Sequence, residues 1–246
     1  MPDRYGSVDM TPEECAKPCD LKERTRGKYD IQWKGQDNDA AAERRKWLSM
    51  VADPLIRMVQ PLKGKTVADL GIGTGSLAFR AIELGAPGRM VGIDFSRTGL
   101  CLSRSISNQP RFTETDIELV QADLERVPLA HRSVDVVISQ ATINLLPNKS
   151  LAMKEIARIS RPGAKVAISD AFRTSQASCG GSWEQCIGGA VTVSEFSTLA
   201  LDAGLVISNQ LDLTQQVKTL VNAKKWDWPE FVQHNMDYRA FLLLRA

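Results

Sequence analysis

An alternation of short apolar runs with helical stretches, beginning at residue 66, constrains the fold of this chain most strongly. The apolar runs that read as strands occupy residues 66–70, 90–94, 117–123, 134–139 and 164–170. Residues 76–84 and 148–160 read as two of the helices between them. Strands that are almost continuously apolar are buried on both faces, which is typical of a parallel sheet. The alternation therefore predicts a doubly wound α/β fold.

The regular alternation of strands and helices ends after Asp170. Residues 171–191 are rich in glycine, serine and threonine, which indicates an insertion that covers a substrate. Thr192 and Glu195 then have capping-box spacing at the start of a helix. Residues 205–213 and 236–245 follow as two further strands. We expect these strands to pair antiparallel at one edge, completing a mostly parallel seven-stranded sheet with an antiparallel C-terminal strand.

The N-terminal region differs from the rest of the chain. Residues 1–38 are polar and contain Cys15 and Cys19, so we expect a mobile or capping segment ahead of one domain at 39–246. Residues 40–60 repeat apolar side chains at helical spacing, with Pro54 inside the repeat. This spacing predicts one helix, or two short ones, packed on the sheet.

Charge and composition exclude several classes of protein. The chain has 31 basic and 29 acidic residues, a net charge of +2, which argues against a nucleic-acid or anionic-membrane partner. The apolar runs are far shorter than the ~20 residues that span a bilayer. The N-terminus lacks a secretory pattern, and the five cysteines are widely spread. We therefore expect a cytoplasmic protein without a metal site.

A glycine-rich turn follows the first predicted strand. It contains one acid and three glycines at alternate positions: Asp69, Gly71, Gly73 and Gly75. Glycines permit positive φ and a close approach of the backbone to a ligand, and the next helix presents free N–H groups. A tight turn without a ligand would use the same residues, so the turn alone does not establish a binding site.

Two further acids strengthen the case for a nucleoside pocket. Asp94 ends the second strand, 19 residues after Gly75, where a carboxylate can accept ribose hydroxyls. Asp123 ends the third strand, where it could accept an adenine amino proton. A nicotinamide dinucleotide would require its third glycine one position later, where Ser76 stands. The glycine spacing, Asp69 and Asp123 favour S-adenosylmethionine instead.

These features resemble the class I S-adenosylmethionine-dependent methyltransferases over residues 64–246. The resemblance implies an enzyme with S-adenosylmethionine as methyl donor, and an antiparallel seventh strand. It also places Gln140, directly after the fourth strand, among the cofactor-binding residues.

Two segments resemble a narrower group, the arsenite methyltransferases. Residues 142–149, which include Asn144, are similar to one segment of that family. Residues 183–190 are similar to a second, with Trp183 and the glycine-framed Cys186. The resemblance implies that Cys186 binds trivalent arsenic and that Asn144 and Trp183 contact the substrate. Soft thiolates suit such a thiophilic centre.

The N-terminal thiols resemble that family's pattern more loosely. Cys19 follows the pair at residues 5–6 at a comparable distance, and Cys15 could take the same role.

The sequence also departs from the arsenite methyltransferases. Aligning the last strand puts His234 where that family has a further arsenic-binding cysteine. A full trithiolate would need Cys186 together with Cys15 and Cys19. The alternative is an organic acceptor, natural-product-like or quinone-like, with His234 as general base. A third alternative is a catalytically silent partner protein that binds the cofactor. The acceptor, the number of methyl transfers and the oligomeric state stay open.

Overall fold

The computed structural model describes residues 18–36, 38–174 and 181–245. The helices in these ranges are α1 Pro18–Trp33, α2 Asn38–Val59, α3 Ser76–Gly85, α4 Arg97–Ser107, α5 Lys149–Ile159, α6 Val193–Asp202, α7 Thr214–Asn222 and α8 Pro229–Gln233. The strands are β1 Thr66–Leu70, β2 Arg89–Asp94, β3 Asp116–Gln121, β4 Val134–Gln140, β5 Ser160–Phe172, β6 Leu205–Asp212 and β7 Asp237–Arg245.

The strands form one seven-stranded sheet in the order β3-β2-β1-β4-β5-β7-β6. The five strands from β3 to β5 are parallel, and β7 runs antiparallel to both β5 and β6. The predicted fold class and the antiparallel C-terminal strand are therefore confirmed. The strand order reverses beside β1, so the carboxyl ends of β1 and β4 flank the crevice where ligands bind in such sheets.

Helices cover both faces of the sheet, and this explains the apolar strands. Leu55 and Ile56 of α2 belong to the core on one face. Met153 and Ile156 of α5 belong to the core on the other face. Because β1 is buried from Val67 to Leu70, a polar side chain there would need its own partner.

The N-terminal helices refine two expectations. The region around Pro54 is one continuous helix, α2, and not two short ones. The described part of the predicted capping segment contains the helix α1, which contacts the rest of the domain through polar side chains and through the buried Trp33. Cys15 and the rest of residues 1–17 lie outside the described residues.

The C-terminal part contains elements that the pattern did not predict. Strand β5 continues to Phe172, and the described part of the expected insertion at 171–191 includes a short 3-10 turn, Trp183–Gln185. Helices α7 and α8 occupy the connection between β6 and β7. No helix in the described ranges is long and apolar enough to cross a membrane.

Candidate active site

The glycine turn joins β1 to α3 at the carboxyl edge of the sheet. Gly71, Gly73 and Gly75 have φ values of +83°, +52° and +80°. A Cβ on Gly71 would lie 2.2 Å from Oγ1 of Thr142, so this position has no room for a side chain. The backbone N–H of Gly71 donates to the Ile93 carbonyl at 2.8 Å, which ties the turn to β2.

Asp94, the last residue of β2, fastens this turn. Its Oδ2 accepts a hydrogen bond from the Gly73 N–H at 2.7 Å, and its Oδ1 accepts one from the Ser96 N–H at 2.7 Å. Burial raises the pKa of Asp94 to about 6, although these backbone N–H groups act in the opposite direction. Asp94 lines a cavity at this edge of the sheet.

Asp69, on β1, lies beside Asp94 in the same cavity. Its Oδ2 is buried and has no hydrogen-bond partner among the described residues. Burial, and then the charge of Asp94, raise the pKa of Asp69 to about 8. A ligand with a positive or hydrogen-bond-donating group would both satisfy Oδ2 and favour the ionised form.

Asp123 follows β3 and is held by α1. Its Oδ2 lies 2.7 Å from Nζ of Lys22, which also lies 2.6 Å from Oε2 of Glu125. Asp123 lines the cavity together with Lys22. Helix α1 therefore closes over the predicted adenine end of the site.

Several other buried polar atoms of the cavity lining lack a partner among the described residues. Besides Asp69 Oδ2, these atoms are Thr25 Oγ1, Trp33 Nε1, Ser76 Oγ, Gln140 Nε2 and Gln185 Oε1. Buried polar groups are normally hydrogen-bonded, so this set indicates a polar ligand. The acids and the amide donor of Gln140 suit a nucleoside that carries an amino-acid tail.

We call the cavity wall formed by Asp69, the glycine turn, Asp94, Asp123 and Gln140 the cofactor half. The same cavity is also lined by side chains from α1, α2, the 3-10 turn and the segment before α8. We call this second set the acceptor half: Tyr29, Arg44, Leu48, Cys186, Trp226, Asp227 and Trp228.

Cys186 in the acceptor half is only 2% exposed and has a φ of 66°. Its Sγ lies 3.5 Å from the Ala141 carbonyl oxygen, at the end of β4. The Tyr29 hydroxyl donates to the carbonyl of Glu184, two residues before Cys186, at 3.4 Å. Burial, and then the charge of Asp170, raise the pKa of Cys186 well above its usual value, so the thiol is protonated near neutral pH.

Asn144 and Trp183 support the Cys186 loop from behind and do not line the cavity. The Asn144 Nδ2 donates to the Ala171 carbonyl at 2.6 Å. The Trp183 Nε1 donates to the Leu145 carbonyl at 3.1 Å. The structure thus gives both side chains partners within the protein and places them outside the cavity lining, where the family resemblance implied substrate contacts.

His234 and the backbone of Cys19 lie away from Cys186. His234 is exposed at the C-terminal end of α8 and does not line the cavity. Cys19 lies in the first turn of α1, nine residues before Lys28, whose Nζ donates to the Glu184 carbonyl at 2.7 Å. Nine residues of helix span about 13 Å, so the Cys19 backbone lies far along α1 from the Cys186 loop. Within the described ranges no metal-binding cluster of histidine, cysteine or acidic residues occurs.

The sequence prediction missed Tyr29, Arg44 and Leu48 of the acceptor half. Trp226 and Trp228 stack at 4.9 Å between ring centroids, and both rings pack against Tyr238. The sequence singles out this tryptophan pair either as a packing cluster, which it favours, or as a cover over an aromatic substrate; the two rings do pack together, and both residues also line the cavity. Tyr29 and Arg44 lie on polar helices, where no local pattern distinguishes a residue that lines a cavity from one that faces solvent.

A doubly wound sheet with an antiparallel last strand, a glycine turn and acids at successive strand ends defines the class I S-adenosylmethionine-dependent methyltransferases. The chain belongs to the methyltransferase domain family, which matches residues 61–225.

Similar proteins agree with this family. An arsenite methyltransferase of Halobacterium salinarum is 33% identical over 147 residues, 57% of this chain and 37% of that protein. A 2-phytyl-1,4-naphtoquinone methyltransferase of Nostoc punctiforme is 33% identical over 113 residues, 46% of this chain and 49% of that protein. The matched region therefore spans less than half the length of either relative.

Among solved structures, geranyl diphosphate C-methyltransferase from Streptomyces coelicolor, in complex with S-adenosyl-L-homocysteine, superposes with a TM-score of 0.73. The match covers 94% of this chain and 100% of that one at 15% identity. At this identity the similarity shows the shared fold alone.

Proposed function

We propose that this chain transfers a methyl group from S-adenosylmethionine to a small organic acceptor. The observation that carries the proposal is the continuous cavity, in which the cofactor half and the acceptor half meet beside Ala141. A methyl donor bound in one half and an acceptor bound in the other would then face each other with no protein atoms between them.

The cofactor half has a group for each part of the donor. Asp94 would accept hydrogen bonds from the ribose hydroxyls, and Asp123 would accept one from the adenine amino group. Asp69 Oδ2 and Gln140 Nε2, both buried without a partner in the described ranges, would bind the amino-acid tail. When bound, the sulfonium cofactor supplies an already activated methyl group.

The protein's own contribution is then alignment and exclusion of water. Tyr29 and Trp33 of α1 cover the cavity, and Trp33 lies 3.0 Å from the position of a Cβ on Gly73. Trp228 is buried and borders the acceptor half. Proximity and orientation can contribute up to ~7–11 kcal/mol in favourable cases, so the site needs no dedicated base for an acceptor that is already nucleophilic.

An organic acceptor agrees with the aromatic wall and with the naphthoquinone methyltransferases among the relatives. Cys186 is the sole described thiol that lines the cavity, whereas Cys101 is exposed on α4. One protonated thiol is a weak site for trivalent arsenic.

Trivalent arsenic is the second candidate acceptor, and one observation favours it. Cys186 lines the cavity, in a segment whose sequence resembles the arsenite methyltransferases, and one such enzyme is among the relatives. Arsenic would there be bound by Cys186 and by small thiols supplied with it.

The first experiment measures S-adenosylmethionine binding by calorimetry in the wild type, Asp94→Asn and the control Asp116→Asn. Asp116 is exposed at the start of β3. We expect Asp94→Asn to weaken binding by about tenfold or more, because hydrogen bonds to a charged group are lost, and the control to bind normally. Normal binding in Asp94→Asn would overturn the assignment of the cofactor half.

The second experiment separates the acceptors. Methyl transfer to hydroxylated aromatic acids, naphthoquinols and As(III) is followed by mass spectrometry. As(III) binding is titrated in the wild type, Cys186→Ser and the control Cys101→Ser. Binding that only Cys186→Ser abolishes would replace the organic acceptor with arsenic. Cofactor binding without any methylated product would instead favour a silent partner protein.

A further inference from the structure

Arg44 differs from every other cation that lines the cavity. Lys22 is paired with two carboxylates, and Lys28 donates to the Glu184 carbonyl. Arg26 lies over the Phe95 ring, 5.3 Å from its centroid. Arg44 has neither a hydrogen bond nor an ion pair with any described residue, although it lines the acceptor half.

The surroundings of Arg44 make this isolation costly. Burial lowers the pKa of Arg44, and the group whose charge acts in the opposite direction is Tyr29. Burial also raises the pKa of the Tyr29 hydroxyl well above its usual value, so Tyr29 is neutral and supplies no counter-charge. Arg44 is half-buried, and a partly desolvated cation without a partner is unfavourable, so an anion that enters the cavity would offset the cost.

The acid in the same half of the cavity does not fill this role. Asp227 also borders the cavity, but it forms no ion pair with Arg44 among the described contacts. Its charge acts instead on Lys28, where it raises the pKa against the effect of burial.

We infer that the acceptor carries an oxyanion, and that Arg44 binds it and so selects anionic acceptors. A guanidinium matches the two oxygens of a carboxylate or phosphate with parallel N–H···O bonds. Leu48 is one helical turn beyond Arg44 on α2, and Trp226 and Trp228 border the same space. These apolar and aromatic neighbours suit a planar acid with an aromatic or polyene body.

The cofactor strengthens the argument electrostatically. A bound sulfonium carries a positive charge, so an anionic acceptor would be attracted to both Arg44 and the methyl donor. This inference depends on the proposed function, because it concerns the acceptor of that reaction.

The test uses the whole chain saturated with S-adenosylhomocysteine and matched pairs of probes. Benzoate, phenylacetate and 4-hydroxycinnamate are each titrated beside their neutral amides, and phenyl phosphate is titrated as the alternative oxyanion. We expect at least one acid to bind about tenfold or more tightly than its amide. A preference for phenyl phosphate over the carboxylates would support the site and assign phosphate as its group.

Two variants test whether Arg44 causes the preference for an acid over its amide. In Arg44→Gln the acid and its amide should bind equally, whereas Arg57→Gln, an exposed position on the same helix, should retain the preference. Binding of S-adenosylhomocysteine and the melting temperature show that Arg44→Gln is folded.

Two results would overturn the inference. One is equal or absent binding of all acids and amides by the wild type, and the other is an acid preference that survives in Arg44→Gln. If the wild type does not bind S-adenosylhomocysteine, the proposed function itself fails. If it binds S-adenosylhomocysteine and does not prefer the acids, the oxyanion site alone fails.

Discussion

The ammonium of Lys22 on α1 lies 2.7 Å from Oδ2 of Asp123, the acid that follows β3. This ion pair joins a helix near the start of the chain to the carboxyl edge of the sheet, across 101 residues. A second anchor on α1 is Asp30, whose carboxylate accepts hydrogen bonds from the Ser96 hydroxyl and the Thr98 N–H at the start of α4. Helix α1 therefore forms a wall of the cofactor half, and we expect it to move when the cofactor exchanges.

Lys22→Ala should accelerate cofactor release. The ion pairs of Lys22 are partly exposed, so each contributes modestly, and we expect S-adenosylhomocysteine to dissociate about two to five times faster. Stopped-flow fluorescence of Trp33, which is buried in the same cavity, measures the rate. Lys34→Ala, exposed just after α1, is the control. An unchanged rate in Lys22→Ala would show that α1 does not control release.

Cofactor binding near pH 7 should release a proton from Asp69. Its pKa of about 8 lies above its ordinary 3.8, so the free protein holds this proton at pH 7. A positive ligand group beside Asp69 favours the carboxylate, lowers its pKa and expels the proton. Calorimetry in buffers of different ionisation enthalpy should give up to about one proton per site in the wild type and less in Asp69→Asn. Equal release by both proteins would contradict this assignment.

The same raised pKa makes the cofactor-free protein lose stability as the pH rises toward 8. A carboxyl group with a raised pKa in the folded state stabilises the protein while protonated, and this contribution is lost as the pH rises from 3.8 to about 8. Chemical denaturation from pH 5 to pH 9 should show that the free energy of unfolding declines less steeply in Asp69→Asn than in the wild type. If the free energy of unfolding declined equally in both proteins, titratable groups other than Asp69 would be responsible.

Cys186 should react slowly with thiol reagents. Burial raises the pKa of its thiol, and the reactive species is the thiolate, whereas Cys101 is exposed. Timed labelling with N-ethylmaleimide at pH 7.5, followed by peptide mass spectrometry, should modify Cys101 well before Cys186. If Cys186 reacts as rapidly as Cys101, then the cavity opens in solution or the thiol is ionised.

Gly71→Ala should be more destabilising than Gly163→Ala. Both glycines have positive φ, +83° and +75°, which costs about 1–2 kcal/mol for alanine. A Cβ on Gly71 would also meet Thr142 at 2.2 Å, whereas a Cβ on Gly163 has open space. Overpacking adds ~1–3 kcal/mol, and urea denaturation of the two variants measures the difference. An equal loss of unfolding free energy in the two variants would mean that the glycine turn can move away from Thr142 at no cost in stability.

Local patterns predicted the parts of the fold whose burial is continuous along the chain. The runs at β1, β2, β4 and β5 are apolar because helices cover both faces of the sheet. Helix α1 escaped prediction because, apart from the buried Trp33, its contacts are polar and distant in sequence, such as Lys22 with Asp123 and Lys28 with Glu184. Such contacts leave no periodic pattern in the sequence.

The sequence by itself determined the α/β sheet, the glycine turn and the acids at strand ends, because each depends on neighbouring residues and on the common direction of parallel strands. Only the tertiary structure decided which reactive groups meet. It brings Tyr29, Arg44 and Cys186 to one cavity and leaves His234 exposed outside it. The physical reason is that the acceptor half is assembled from α1, α2 and two distant C-terminal segments, whose packing depends on long-range contacts that no local pattern encodes.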